Sequence, residues 1–190
     1  MKIISPSIGD GSKLHVESMG DVYFASLALR EARQNRLVVI ESALAVEDAV
    51  DTVIEWYFFP ESPEKRRLFK SLVVDSDWCT FSAKRKLIKH IIDEQTLLEG
   101  KRKNEFDSLL RKVMFCRNAF AHGDFHTDSQ KVWLRYFEGR PCEKELTDDY
   151  LTEVESIFSR AADELFGLKA SIGAIQLPNR NETSVAPPSA

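Results

Sequence analysis

Val39, Ala43, Val46, Val50, Val53 and Tyr57 recur at alternating spacings of four and three residues, a rhythm that fits an α-helix and not a strand. A strand would send members of this set to both faces, whereas about 3.6 residues per turn collects them on one stripe. The pattern predicts helix from Val22 to about Phe59, either unbroken or as two pieces joined near Gln34. It stops at Pro60-Glu-Ser-Pro63, because a proline lacks the amide donor and pushes the residue before it out of helical geometry. A helix of this length with one apolar face needs other elements to cover it, so the chain is expected to be mainly α.

The remaining pattern supplies those elements. A short basic helix is expected around Lys65 to Leu72, a loop at Asp75 to Trp78, and a helix from Thr80 or Ser82 whose buried edge is Leu87, Ile88, Ile91 and Ile92. Gly100 and the run Lys-Arg-Lys-Asn at 101–104 mark a loop, followed by a helix over 105–122 that ends at Gly123. Lys131 to Glu138 is β-branched and aromatic, and Gly139-Arg-Pro141 turns it into a second short strand, which predicts a small β-hairpin before the last helix. Thr147 is placed to cap that helix, whose stripe is Leu151, Val154, Ile157, Phe158, Ala161, Ala162, Leu165 and Phe166, ending near Gly167. The expected organisation is an irregular arm over 1–20, a helical domain over 21–170 and a disordered tail over 171–190, rich in Pro, Asn and Ser towards its end.

Composition narrows the class. With 190 residues and 43% hydrophobic content the chain can bury a core as one domain. Three cysteines at spacings that suit neither zinc nor a disulfide framework, and a start without the layout of a secretion signal, predict a cytoplasmic setting. The longest apolar stretches, near Leu37 to Val46 and Val53 to Phe59, are interrupted by Glu41, Glu47, Asp48 and Asp51, so no membrane span is expected. A net charge of −4 argues against a general nucleic-acid coat, yet the stretch from Lys65 to Lys112 is strongly basic and could form a local basic surface.

The run Cys-Arg-Asn-Ala-Phe-Ala-His-Gly at 116–123 concentrates chemistry. On a helix over 105–122, Phe106, Leu109, Leu110, Val113, Phe120 and Ala121 form an apolar stripe with Arg117 at its centre. A guanidinium cannot shed its proton, so a buried Arg117 must meet an acid, a partner chain or a phosphate. Arg111, Asn118 and His122 fall on a different flank, joined by Phe115, because 111 to 118 is two turns and 118 to 122 is one. Arg117 lies about 140° from His122, counting about 100° per residue. Carbonyl dipoles at a helix C-terminus favour an imidazolium at such a position.

Arg-Asn-Ala-Phe-Ala-His resembles the Arg-X4–6-His motif of HEPN domains. Thr80-Phe-Ser-Ala-Lys-Arg-Lys-Leu-Ile88 is similar to the helix start that precedes the motif helix in HEPN proteins like the mannitol-operon repressor, and the resemblance covers residues 22 to 169. It implies an up-and-down helical bundle that dimerises through its motif helices around a shared cleft. It further implies a metal-independent endoribonuclease, a toxin or defence effector with RNA as substrate, no cofactor, and a nucleotidyltransferase-type antitoxin as the class of partner. Other domains of this kind have lost catalysis and bind RNA or protein, or regulate transcription. Carried over by position, Arg117 and His122 are the catalytic pair and Asn118 the accompanying polar residue, while Arg111, Lys84 and Lys86 are the candidate RNA-binding cations.

Simpler roles compete with these. Arg117 can pair with Glu47, Asp48 or Asp51 on the first helix, and His122 can bond a helix-end carbonyl. Asp124, His126 and Asp128 read as solvated turn residues, not as a metal site. Cys116 borders the apolar stripe as a small buried hydrophobe, and Trp56, Trp78 and Trp133 read as core or interface residues.

Overall fold

The computed structural model describes residues 19–127 and 131–176; the expected tail beyond 176 and nearly all of the expected N-terminal arm lie outside them. Helix α1 (Met19–Phe58) is one unbroken helix, without a joint at Gln34. Its stripe of Val39, Ala43, Val46, Val50, Val53 and Ile54 is the spine of the core. Ser62 caps α2 (Pro63–Phe69), accepting a hydrogen bond from the Lys65 amide, and Pro63 occupies the first helical position, where its missing amide costs nothing. A single π-helical stretch over 70–74 continues α2 back along α1, where the Lys70 ammonium meets Asp48 at 3.0 Å.

Thr80 caps α3 (Phe81–Glu94) through its hydroxyl oxygen, which accepts from the Ala83 amide at 3.3 Å. Lys84 at its start meets Glu47 and Asp51, and Glu94 at its end accepts from the Tyr57 hydroxyl, so α3 runs parallel to α1. Helix α4 (Gly100–His122) returns in the opposite sense, with Arg85 bound to Asp107 and Lys103 to Asp93. Thr147 caps α5 (Asp148–Gln176), its oxygen accepting from the Tyr150 amide at 3.1 Å. α5 lies antiparallel to α4, its first turn stacking Tyr150 on Phe120 and its later part pairing Glu164 with Arg102. Gly167 does not end α5: Leu168 and Ile172 prolong the buried stripe, so 171–176 is helix and not tail, just as 19–20 belongs to α1 and not to the arm.

Between α4 and α5 stand three antiparallel strands, β1 (Asp124–Thr127), β2 (Val132–Phe137) and β3 (Pro141–Glu145), in the order β1-β2-β3. The β2–β3 pair is the expected hairpin, registered with Tyr136 opposite Cys142 and turned through Gly139 at φ +66°, a conformation that suits glycine. β1 corrects the expected turn at 124–128 as far as Thr127, Asp128 lying outside the described residues. Asp124, Phe125 and His126 are strand residues, and the His126 imidazole lies 2.9 Å from Glu143 across the sheet. A four-residue strand with one apolar side chain leaves too little periodicity to separate it from a loop. The sheet enters the core through Leu134, which is fully buried.

Candidate functional site

α4 carries the motif, and its buried face turns along its length. Phe106, Leu109, Leu110 and Val113 are buried in its first half, but Cys116, Ala119 and Phe120 in its second. At about 100° per residue the stripe swings by roughly 70° and leaves Arg117 roughly 100° from its later centre. The cause is the change of neighbours. The first half faces other helices, whereas near its end Phe120 meets Phe125 of β1 edge to face and Tyr150 of α5 in a stack.

Arg117 is therefore exposed, which corrects the expectation of a buried guanidinium. Its Nη1 donates to Asn118 Oδ1 at 3.2 Å, also on the surface. It does not pair with the acids of α1, which are already engaged. Lys84 Nζ lies 3.0 Å from Glu47 and 2.9 Å from Asp51, and Lys70 meets Asp48, Asp51 and Glu55. Lys84, 4% exposed, is the buried cation among the described residues, and its ammonium is turned to Glu47 and Asp51 and away from any RNA. Burial opposes its ammonium, but the hydrogen bonds and charge of Asp51 and Glu47 outweigh it and hold the pKa above the usual lysine value.

The flank inferred from helix spacing holds together. Arg111, Phe115, Asn118 and His122 line one groove of about 740 Å³, with Lys112 from the same helix, Arg85 from α3, Tyr136 and Phe137 from the end of β2, and Glu138 just after it. Arg117 and Lys86 are not in its lining. Asn118 and His122 are exposed, one turn apart, and Phe115 packs edge to face on Tyr136, joining the helix to the sheet. Burial raises the Tyr136 phenol above its ordinary pKa, so it stays a hydrogen-bond donor at neutral pH. Asp107 ties down two of the cations, accepting from Arg85 at 2.8 Å and from Arg111 at 3.0 Å. Lys112 is left exposed, with no polar partner among the described residues.

The end of α4 is held by residues that helix spacing does not reveal. The Gly123 amide donates to Ala119 O at 2.9 Å, and its carbonyl accepts from Arg36 of α1. The Arg36 guanidinium also covers the Phe125 ring, 4.4 Å from its centroid. Gly123 is extended, at φ −79°, and does not use the left-handed conformation common at helix ends. It is needed for closeness, because a Cβ there would sit 2.4 Å from Ala119 O, 2.6 Å from Leu134 Cδ1 and 2.8 Å from Arg135 O. The glycine lets β2 press against the helix end and so fixes His122 beside the sheet wall of the groove.

Cys116 is buried in the core, which raises its thiol to about 11 and keeps it protonated at neutral pH. Of the tryptophans, expected in the core or at an interface, Trp56 is half-buried between Arg66 and Lys169, and Trp78 is 67% exposed and so not a core residue. Among the described residues no helix is long and apolar enough to cross a membrane. No protein-family model, curated protein or solved structure matches this chain.

Proposed function

We propose that this chain is a HEPN-like, metal-independent endoribonuclease whose reaction takes place in the α4 groove. The observation that carries the reading is that His122 and Asn118 open onto the same groove as Arg111 and Lys112. The His122 imidazole accepts the 2′-hydroxyl proton as the 2′-oxygen attacks the adjacent phosphorus. The Lys112 ammonium and the outer face of Arg111 stabilise the charge gathering on the phosphoryl oxygens. The bond to the 5′-oxygen breaks as that oxygen takes the proton now carried by the His122 imidazolium, which returns the imidazole to its neutral form and leaves a 2′,3′-cyclic phosphate and a 5′-hydroxyl. Asn118 orients the phosphate, and Arg117 at its side supplies an exposed cation to the approaching strand.

A non-catalytic binding module is the second reading, favoured by Asp107, whose carboxylate engages two of the three Lys and Arg side chains of the groove and cancels one of their charges. Incubation of the purified chain with mixed RNA in EDTA separates the two. The ribonuclease reading expects cyclic-phosphate ends from the natural chain and none from His122→Ala, with unchanged circular dichroism. Binding without cleavage in both proteins selects the module, and equal cleavage by both removes His122 from the chemistry.

A further inference from the structure

We propose that two copies of this chain pair antiparallel through the outer face of α1. Opposite the core stripe, α1 carries a second seam at spacings of four and three: Tyr23, Leu27, Arg30, Gln34, Leu37, Glu41 and Leu44. All seven are exposed, the four large hydrophobic side chains by 66% (Tyr23), 45% (Leu27), 62% (Leu37) and 51% (Leu44), and Val38 beside them by 60%. Arg30, Gln34 and Glu41 have no polar partner among the described residues. A helix presenting one stripe to its own core and a second, heptad-spaced stripe to solvent has the form of one strand of a coiled coil.

The order of side chains along the seam selects the occupant. With the two-fold axis between Asn35 and Arg36, an antiparallel second copy sets Leu27 against the partner's Leu44, Arg30 against the partner's Glu41, and Gln34 against the partner's Leu37. Symmetry repeats each layer on the other side of the axis. The register closes two Leu–Leu layers around two Arg–Glu layers, with no like charges opposed. A parallel, in-register pair would set Arg30 against Arg30 and Glu41 against Glu41, so the charge order specifies the antiparallel arrangement. The pairing stands apart from the cleavage reading, because no α1 residue lines the α4 groove. It also uses a different face from the motif-helix contact implied by the resemblance to HEPN domains.

Sedimentation velocity on the full chain tests this. The natural chain is expected to be a dimer at micromolar concentration, and Arg30→Glu to weaken it by more than about tenfold by placing two carboxylates in each polar layer. Adding Glu41→Arg to Arg30→Glu re-pairs every layer and is expected to restore the dimer. Both sites are on the surface, so the helix content of each variant is expected to match the parent. A monomeric natural chain, a dimer indifferent to Arg30→Glu, or a charge swap that fails to restore it would each overturn the proposal. Removal of residues 1–18 is expected to leave the dimer intact; if that truncation creates or abolishes dimerisation, the N-terminal segment occupies the seam and the proposal falls. RNA cleavage by Arg30→Glu is read separately, so failure of the dimer and failure of the nuclease are distinguishable.

Discussion

Replacing Lys84 by methionine should expose how tightly the interior charges of this fold depend on one another. The ammonium is 4% exposed and lies 2.9 Å from Asp51, itself 4% exposed, and 3.0 Å from Glu47. Methionine fills a similar volume but leaves the Asp51 carboxylate in the core with only Lys70, 3.9 Å away. Breaking a buried pair from one side costs about 3–5 kcal/mol, and the residual help from Lys70 places Lys84→Met towards the lower end. Against a total stability of about 5–15 kcal/mol, that is a large fraction. Asp51 is already raised above its ordinary pKa, first by burial and against the pull of Lys84, so removing Lys84 raises it further. A carboxyl whose folded pKa is raised contributes stability at low pH and loses it as pH climbs through that folded value. The deficit of Lys84→Met should therefore be smaller at pH 5 than at pH 8, by about 1.4 kcal/mol for each pKa unit gained by Asp51 that falls within that window. Adding Asp51→Leu removes the stranded charge and should return about half of the loss or more. Urea unfolding followed by circular dichroism at the two pH values measures all three proteins. Equal stability of Lys84→Met and the natural chain, or a deficit independent of pH, would refute the reasoning.

Other sites give sharper contrasts. Arg117→Ala is expected to change unfolding free energy by no more than about 0.5 kcal/mol because the side chain is exposed, and, under the nuclease reading proposed above, to weaken RNA binding in a filter-binding titration; a loss of several kcal/mol would mean that the guanidinium is structural after all. Gly123→Ala should cost about 1–3 kcal/mol or more by driving a methyl group into Ala119 O and Leu134, and a thermal shift of zero would contradict that packing. The Cys116 thiol is raised from 9.0 to about 11 by burial, so it contributes stability below pH 9, on the order of 2–3 kcal/mol, that is lost as pH rises to about 11. Chemical unfolding at pH 8 and pH 11 should show a smaller pH-dependent loss in Cys116→Ala than in the natural chain, and parallel losses would exclude the thiol as a contributor.

The helices were legible because their apolar residues repeat with the helical period and their ends carry local punctuation. Thr147, the expected cap, accepts an amide hydrogen bond at its helix start, as the structure shows Thr80 and Ser62 doing at theirs, and Pro60 and Pro63 frame the end of α1. The groove was legible in part, since Arg111, Phe115, Asn118 and His122 lie on one helix and their common side follows from spacing alone. Its other wall was not, because Tyr136, Phe137 and Glu138 reach it only when the sheet docks on α4. The misplaced arginine has the same origin. Arg117 fits the stripe of a straight, uniformly packed helix, but the burial of Phe120 against Phe125 and Tyr150 turns the core-facing side away from it.

By itself the sequence determined the apolar stripes, the Thr147 cap and the side of α4 that bears Asn118 and His122, since these follow from backbone geometry within one segment; it misplaced the start of α4, where Gly100 and 101–104, expected as a loop, form the first turn. Only the tertiary structure decided which cation is buried. Lys84, Arg36 and Arg117 are all compatible with helix, and their environments depend on whether an acid, a carbonyl with an aromatic ring, or open solvent arrives from a distant part of the chain. Burial is a property of the neighbours a residue acquires on folding, and a charge takes its role from them.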